Sequence, residues 1–230
     1  MKFELCTDTI EGALIADQHG FNSIELCSAL FVGGLTPSYG LMERCAEQTG
    51  LQVHVMIRHR EGDFICTPED LLVMKKDIEA VKRAGAFGVV FGILDADHEV
   101  SEQNMELMIH AKKLGLATTF HRAFDFVQEP ERAVQKIVQM GFDRLLTSGL
   151  SSRAEEGTDV LKRLQTKYGK DIQIIAGSGI HRKNARLIAS SGIQYLHFTA
   201  RKPDGGAIAL GMGQAMLTDV DKISSILNCF

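Results

Sequence analysis

The chain runs to 230 residues with a net charge of -4, 45% hydrophobic and 23% charged residues, the balance of an ordinary globular protein rather than a disordered or fibrous one. Its mild acidity leaves no basic face for nucleic acid and no electrostatic pull toward an anionic membrane, so neither partner is expected. No stretch approaches the roughly 18 consecutive apolar residues of a membrane helix. The opening Met1-Lys2-Phe3-Glu4-Leu5-Cys6 lacks the apolar centre of a secretion signal, which points to a cytoplasmic protein.

In chain order, short β-rich runs alternate with longer helical patterns. The first run, Phe3–Cys6, is followed by Ser23–Cys27, Gln52–Arg58, Gly88–Leu94, Ala117–Arg122, Arg144–Ser148, Gln173–Ala176 and Tyr195–Thr199. The intervening helices are expected to stop at Gly20, Gly50, Gly85, Gly115, Gly141, Gly169 and Gly192, since glycine takes the left-handed conformation that ends many helices. One helix is read over Ser38–Cys45. Thr67-Pro68-Glu69-Asp70 opens another with an N-cap, a proline in the first turn and two acids at the positive end of the dipole. Ser101-Glu102-Gln103-Asn104 opens a third, with Met105, Met108 and Ile109 on one face. Glu129-Pro130-Glu131 and Thr218-Asp219 mark two more. No linker or shift in composition divides the chain, so residues 1–230 read as a single domain.

Eight βα units favour an α/β fold, either a single closed (β/α)8 TIM barrel or an open doubly wound sheet. Side-chain parity separates the two. In the first three runs Phe3, Leu5, Ile24, Leu26, Val53 and Val55 share the apolar parity and fit a layer of helices. The opposite parity carries Glu4, Cys6, Glu25, Cys27, His54 and Arg58, and further along His121 and His197. A doubly wound sheet is apolar on both faces, so charge on one parity supports the barrel, with that parity pointing inward. Charges there must pair or line a hydrated pocket. Glu25 with Arg58 is a candidate ion pair, while His54 and His197, mid-strand, read first as hydrogen-bonded interior residues. Barrel active sites lie at the C-terminal strand ends, where Cys6, Cys27, Arg58, His121 and Ser148 fall.

Five blocks carry a family resemblance. They are Ile24-Glu25-Leu26-Cys27 with Gly33-Gly34-Leu35-Thr36-Pro37-Ser38; Met56-Ile57-Arg58 with Arg60 and Gly62-Asp63-Phe64; Thr119-Phe120-His121-Arg122-Ala123-Phe124-Asp125; Leu146-Thr147-Ser148-Gly149; and Ala176-Gly177-Ser178-Gly179-Ile180 with Asn184. In this order the chain resembles the CutC family up to about Thr199. His59, Glu61 and Cys66 depart from the family pattern, and the segment after Thr199 has no close match. The resemblance implies a cytoplasmic barrel of copper homeostasis, with copper as a ligand.

Two functional readings follow. The five cysteines are odd in number, scattered and without a CxxC pair, so they are expected as reduced thiols. Glu4-Leu5-Cys6 recurs as Glu25-Leu26-Cys27, which gives Cys6 and Cys27 inward parity on neighbouring strands about 4.8 Å apart. Two soft thiolates suit Cu(I), with Met56 as a thioether neighbour, although barrel stagger could set the sulfurs at different heights. The plainer alternative is that both cysteines pack as small apolar residues. In the second reading the barrel is an enzyme, a lyase, isomerase or hydrolase, acting on a small anionic or phosphorylated metabolite. Glu4, Glu25, Arg58, His121 and Asp125 are then the catalytic candidates. Arg60, Arg122, Ser148, His197 and the Gly177-Ser178-Gly179 turn are the substrate contacts, the arginines by bidentate bonds and the turn by backbone N–H groups. A homodimer is expected from the frequency of symmetric dimers among soluble proteins.

Overall fold

The computed structural model describes residues 1–206 and 213–230. Eight parallel strands close into a barrel in sequence order: β1 (Lys2–Thr7), β2 (Ser23–Leu26), β3 (Gln52–Met56), β4 (Gly88–Phe91), β5 (Ala117–Phe120), β6 (Arg144–Thr147), β7 (Gln173–Gly177) and β8 (Tyr195–Thr199). β8 returns to pair with β1, Glu4 opposite His197 and Cys6 opposite Thr199, so the sheet has no free edge. The outer helices are α1 (Ile10–Gln18), α2 (Tyr39–Gln48), α3 (Pro68–Arg83), α4 (Gln103–Lys113), α5 (Pro130–Met140), α6 (Thr158–Tyr168), α7 (Ala185–Ala189) and α8 (Val220–Leu227). No helix among the described residues is long and apolar enough to cross a membrane.

Parity divides the interior as the sequence implies. Leu5, Ile24, Val55, Phe91, Leu145 and Leu196 belong to the large core between sheet and helices. Inside the barrel the apolar side chains form two small islands, Cys6, Cys27, Met56 and Val90 in one, and Leu146, Ile175 and Tyr195 in the other. Buried polar groups fill the space between them: Glu4, Glu25, His54, Thr119, Arg144 and His197. The barrel core is therefore half polar. That arrangement stands only if the charges satisfy one another.

Local chemistry places most helix ends where expected. Thr67 and Asp70 form a reciprocal capping box at the start of α3, and the Asp219 side chain accepts the Lys222 N–H at the start of α8. Gly20, Gly85, Gly115, Gly141 and Gly192 take positive φ, but Gly50 is not among them and Gly169 sits at φ -65° in a right-handed cap. The α4 face also differs from expectation. Its buried side is Asn104, Leu107, Met108 and Ala111, while Ile109 is half exposed. Met105 and Met108 pack inward as expected, and Asn104 joins them because its amide bonds the backbone of Ile93 and Ser101, tying the helix to the end of β4. A feature beyond the eight runs is a short antiparallel pair, β9 (Arg201–Pro203) with β10 (Met216–Thr218), which leads into α8.

Candidate functional site

The C-terminal ends of the strands surround a cavity of about 690 Å³. Its floor is a chain of charged groups running up the barrel axis. At the bottom Arg144 donates to Glu4 Oε2 (2.5 Å), which also accepts the Ser23 hydroxyl (2.6 Å). Glu4 Oε1 lies 2.9 Å from His197 Nδ1, and His197 Nε2 lies 3.6 Å from Glu25 Oε2. At the top Glu25 Oε2 accepts the thiols of Cys6 (3.3 Å) and Cys27 (3.6 Å). Positive and negative charges alternate along this column, which is what lets them be buried.

The alternation sets the protonation states. Burial alone would raise the Glu4 carboxyl, but the Arg144 guanidinium and the His197 bond hold it well below the usual carboxylate range. Burial opposes charge on His197, yet Glu25 and Glu4 on either side of the ring raise it well above an ordinary imidazole. The Cys6 thiol is pushed well above its ordinary value by its contact with Cys27, by burial and by the negative charge of Glu25. Cys6 pulls Cys27 down, but burial and Glu25 together push it up to about 11. Both sulfurs are therefore protonated at neutral pH, and a metal would have to displace two protons to bind them.

Strand register explains why the sulfurs meet. Cys6 stands opposite Glu25, so Cys27 lies higher, just past the end of β2, where its N–H bonds Thr7 carbonyl. Stagger thus separates the two cysteines along the barrel axis. Even so, Cys6 Sγ, Cys27 Sγ and a Glu25 oxygen all lie within 4.8 Å of one another, and all three residues are buried. The Gly33-Gly34 turn closes over them. A Cβ on Gly34, at φ +93°, would stand 3.1 Å from Cys27 Sγ and 3.7 Å from Met56 Cε. That glycine is required by close approach to the thiol pair.

Arg58 does not pair with Glu25. Its Nη1 donates to the carbonyls of Val32 (2.9 Å) and Gly34 (3.1 Å), and its Nη2 to that of Gly62 (2.8 Å), stitching the loops after β2 and β3 together. Arg60 is held at the rim by Asp63 and Asp70. In the His121–Asp125 block, His121 Nδ1 accepts the Ala123 N–H, and burial with the nearby Arg58 and Arg122 holds the ring down to about 3. This neutral ring accepts at Nδ1 and so carries its proton on Nε2. Asp125 faces away from the cavity. It takes bonds from Arg122 Nε, the Thr147 and Ser148 hydroxyls and the N–H groups of Ser148 and Leu150, and so shapes the loop after β6.

Of the residues singled out from sequence, Cys6, Glu25, Arg58 and His121 line the cavity, as do Arg122, His197, Ser178 and Gly179. Glu4 is sealed beneath the floor, Cys27 lies under Gly34, and Arg60, Asp125, Ser148 and Gly177 lie outside the lining. His54 departs from the expected hydrogen-bonded state, because neither ring nitrogen meets a partner. Burial and Arg144 hold it neutral, with a pKa of about 3. Arg144 and Lys222 are the charged groups that sequence reasoning missed. Arg144 shares the inward parity of Ser148 on the same run, a usable signal. Lys222 reaches the cavity from α8, which no strand pattern locates.

Fold and site together define a class: a (β/α)8 barrel with two thiols and a carboxylate converging at the C-terminal ends of its first two strands. Residues 1–202 match the model of the CutC family. A CutC family protein of Bacteroides thetaiotaomicron is 42% identical over 203 residues, covering 87% of this chain and 81% of its own length. One from Vibrio atlanticus is 38% identical over 238 residues, covering 98% and 96%. The crystal structure of a Streptococcus agalactiae CutC, whose name ties it to copper homeostasis, matches with a TM-score of 0.80 at 28% identity over 86% of this chain and 98% of that one. This chain belongs to the CutC family.

Proposed function

We propose that the protein serves copper homeostasis by binding Cu(I) between Cys6 and Cys27. The carrying observation is the convergence of two buried sulfurs within 4.8 Å of each other and of Glu25. The donor set fits the ion. Cu(I) prefers few, soft ligands, and Met56 packs against both cysteines in the same island. Glu25 offers a hard oxygen and is the proton acceptor for both thiols rather than a ligand of choice for Cu(I). One of its oxygens, Oε1, is buried without a partner.

The test is an anaerobic Cu(I) titration against a competing chelator. One equivalent bound tightly by the parent, and lost in Cys6→Ser/Cys27→Ser, supports the reading; binding indifferent to the two cysteines overturns it. Because two thiols must deprotonate, apparent affinity should rise by up to about 100-fold per pH unit near neutrality. A cytoplasmic location and a homodimer belong to the same proposal. Half-exposed Val73 on α3 and Ile109 on the adjacent α4 offer apolar surface for self-association, and sedimentation velocity tests it.

A further inference from the structure

Above the thiol pair, the cavity holds two cationic groups that make no ion pair among the described residues. Its volume of about 690 Å³ lies within the usual small-molecule range of roughly 300–1,000 Å³. Around its wall the acids are accounted for: Glu25 faces His197 and Asp63 faces Arg60. Arg122 is balanced by Asp125. Two cations are left over. The Arg58 guanidinium bonds three carbonyl oxygens and lies over the Phe64 ring, with no carboxylate in ion-pair contact among the described residues. Lys222, half-buried, has no carboxylate within ion-pair reach among the described residues, and burial lowers its pKa. The wall also includes the turn after β7, where Ser178 (φ 85°) and Gly179 (φ 70°) are both left-handed. That turn is pinned from behind by Asn184, which donates to Gly179 carbonyl, and by the Ser178 hydroxyl on Ser152 carbonyl. The backbone N–H groups of Gly179 and Ile180, both lining residues, donate to no protein acceptor among the described residues.

We propose that this cavity is a second ligand site, for a small organic phosphate whose phosphate group is held by Lys222 and the N–H groups of Gly179 and Ile180. The chemistry discriminates against a simple carboxylate. A carboxylate is best read by a free guanidinium fork, and each arginine already spends two nitrogens, Arg58 Nη1 and Nη2 on carbonyls and Arg122 Nε and Nη2 on Asp125 and Ser148. What remains is a point charge and backbone donors, the combination that suits tetrahedral phosphate. A phosphate dianion also supplies the counter-charge that Lys222 lacks. The rest of the ligand meets an apolar wall of Leu30, Phe64, Ile65 and Phe126.

Isothermal titration of the whole chain with phenyl phosphate, inorganic phosphate and benzoate at constant ionic strength tests the site. The expected result is saturable binding of phenyl phosphate, weaker binding of inorganic phosphate and none of benzoate at matched concentration. Lys222→Gln should raise the phenyl phosphate Kd at least about tenfold, Lys222→Arg by no more than about threefold. The titration uses metal-free protein, so its outcome is independent of copper binding, and Thr67→Ala, at a helix cap outside the cavity, should leave the Kd unchanged. A urea midpoint within error of the parent shows that Lys222→Gln is folded. Absence of saturable phosphate binding, an unchanged Kd in Lys222→Gln, or benzoate binding as tightly as phenyl phosphate would each overturn the proposal.

Discussion

Glu4 and His197 show how individual residues hold a charged barrel interior together. Glu4 answers both Arg144 and His197, so Glu4→Gln leaves two buried cations short of a partner. The expected cost is about 3–5 kcal/mol in urea unfolding. The neutral imidazoles act in the opposite pH direction from His197. His54 and His121 have folded pKa values of about 3, against about 6.5 unfolded. Their stability contribution is complete above pH 6.5 and is lost as pH falls, at about 1.4 kcal/mol per unit each. His197, raised, contributes fully below 6.5 and loses its contribution only as pH rises through its folded value, so it adds no slope in that window. Parent stability should therefore drop by about 2 kcal/mol per ring between pH 6.5 and pH 5. His54→Gln should remove about half of that drop, and an unaltered slope would show that His54 is not buried neutral. Glu25 decides the metal. Glu25→Gln removes negative charge beside the thiols and should hold or raise Cu(I) affinity at pH 7; a loss of tenfold or more would make the carboxylate a ligand and favour a harder ion such as Zn²⁺.

At the scale of elements, the loops after β2 and β3 are tied to each other by main-chain and guanidinium bonds. Thr36 and Arg58 exchange two bonds, Thr36 N–H to Arg58 carbonyl and Arg58 N–H to the Thr36 side-chain Oγ1, while the Arg58 side chain spans both loops. Gly34→Ala should cost at least about 1 kcal/mol and weaken Cu(I) binding, since its φ of +93° and the contact with Cys27 both resist a side chain. Thr67→Ala at the start of α3 should cost a similar amount, about 1 kcal/mol, and leave Cu(I) binding untouched. Comparing the two by urea unfolding and copper titration separates a loop that serves the site from a cap that serves the fold. These loops were only partly legible. Glycine at positions 33 and 34 announces a turn, but the reason for Gly34 lies in the Cys27 sulfur just past the end of β2. The His121–Asp125 run looks catalytic by composition, yet Asp125 and Arg122 spend their bonds on the next loop.

For the molecule as a whole, barrel closure is what turns a strand pattern into a site. Eight β-rich runs, their inward parity and the pairing of helices with strands were determined by the sequence alone, because each rests on local periodicity and on which side chains tolerate helix contact. Cys6, Glu25 and His197 could be placed inside from parity, and they are. Height along the axis could not. Which inward residues meet depends on the register of each strand pair, set by backbone bonds between segments far apart in the chain. Register puts Glu4 between Arg144 and His197, gives Glu25 to the thiols instead of to Arg58, and leaves His54 without a partner. The last helix makes the same point from the other end of the chain. Lys222 reaches the cavity from α8, at the far end of the chain from the strands that frame the thiols, a placement that no local pattern contains.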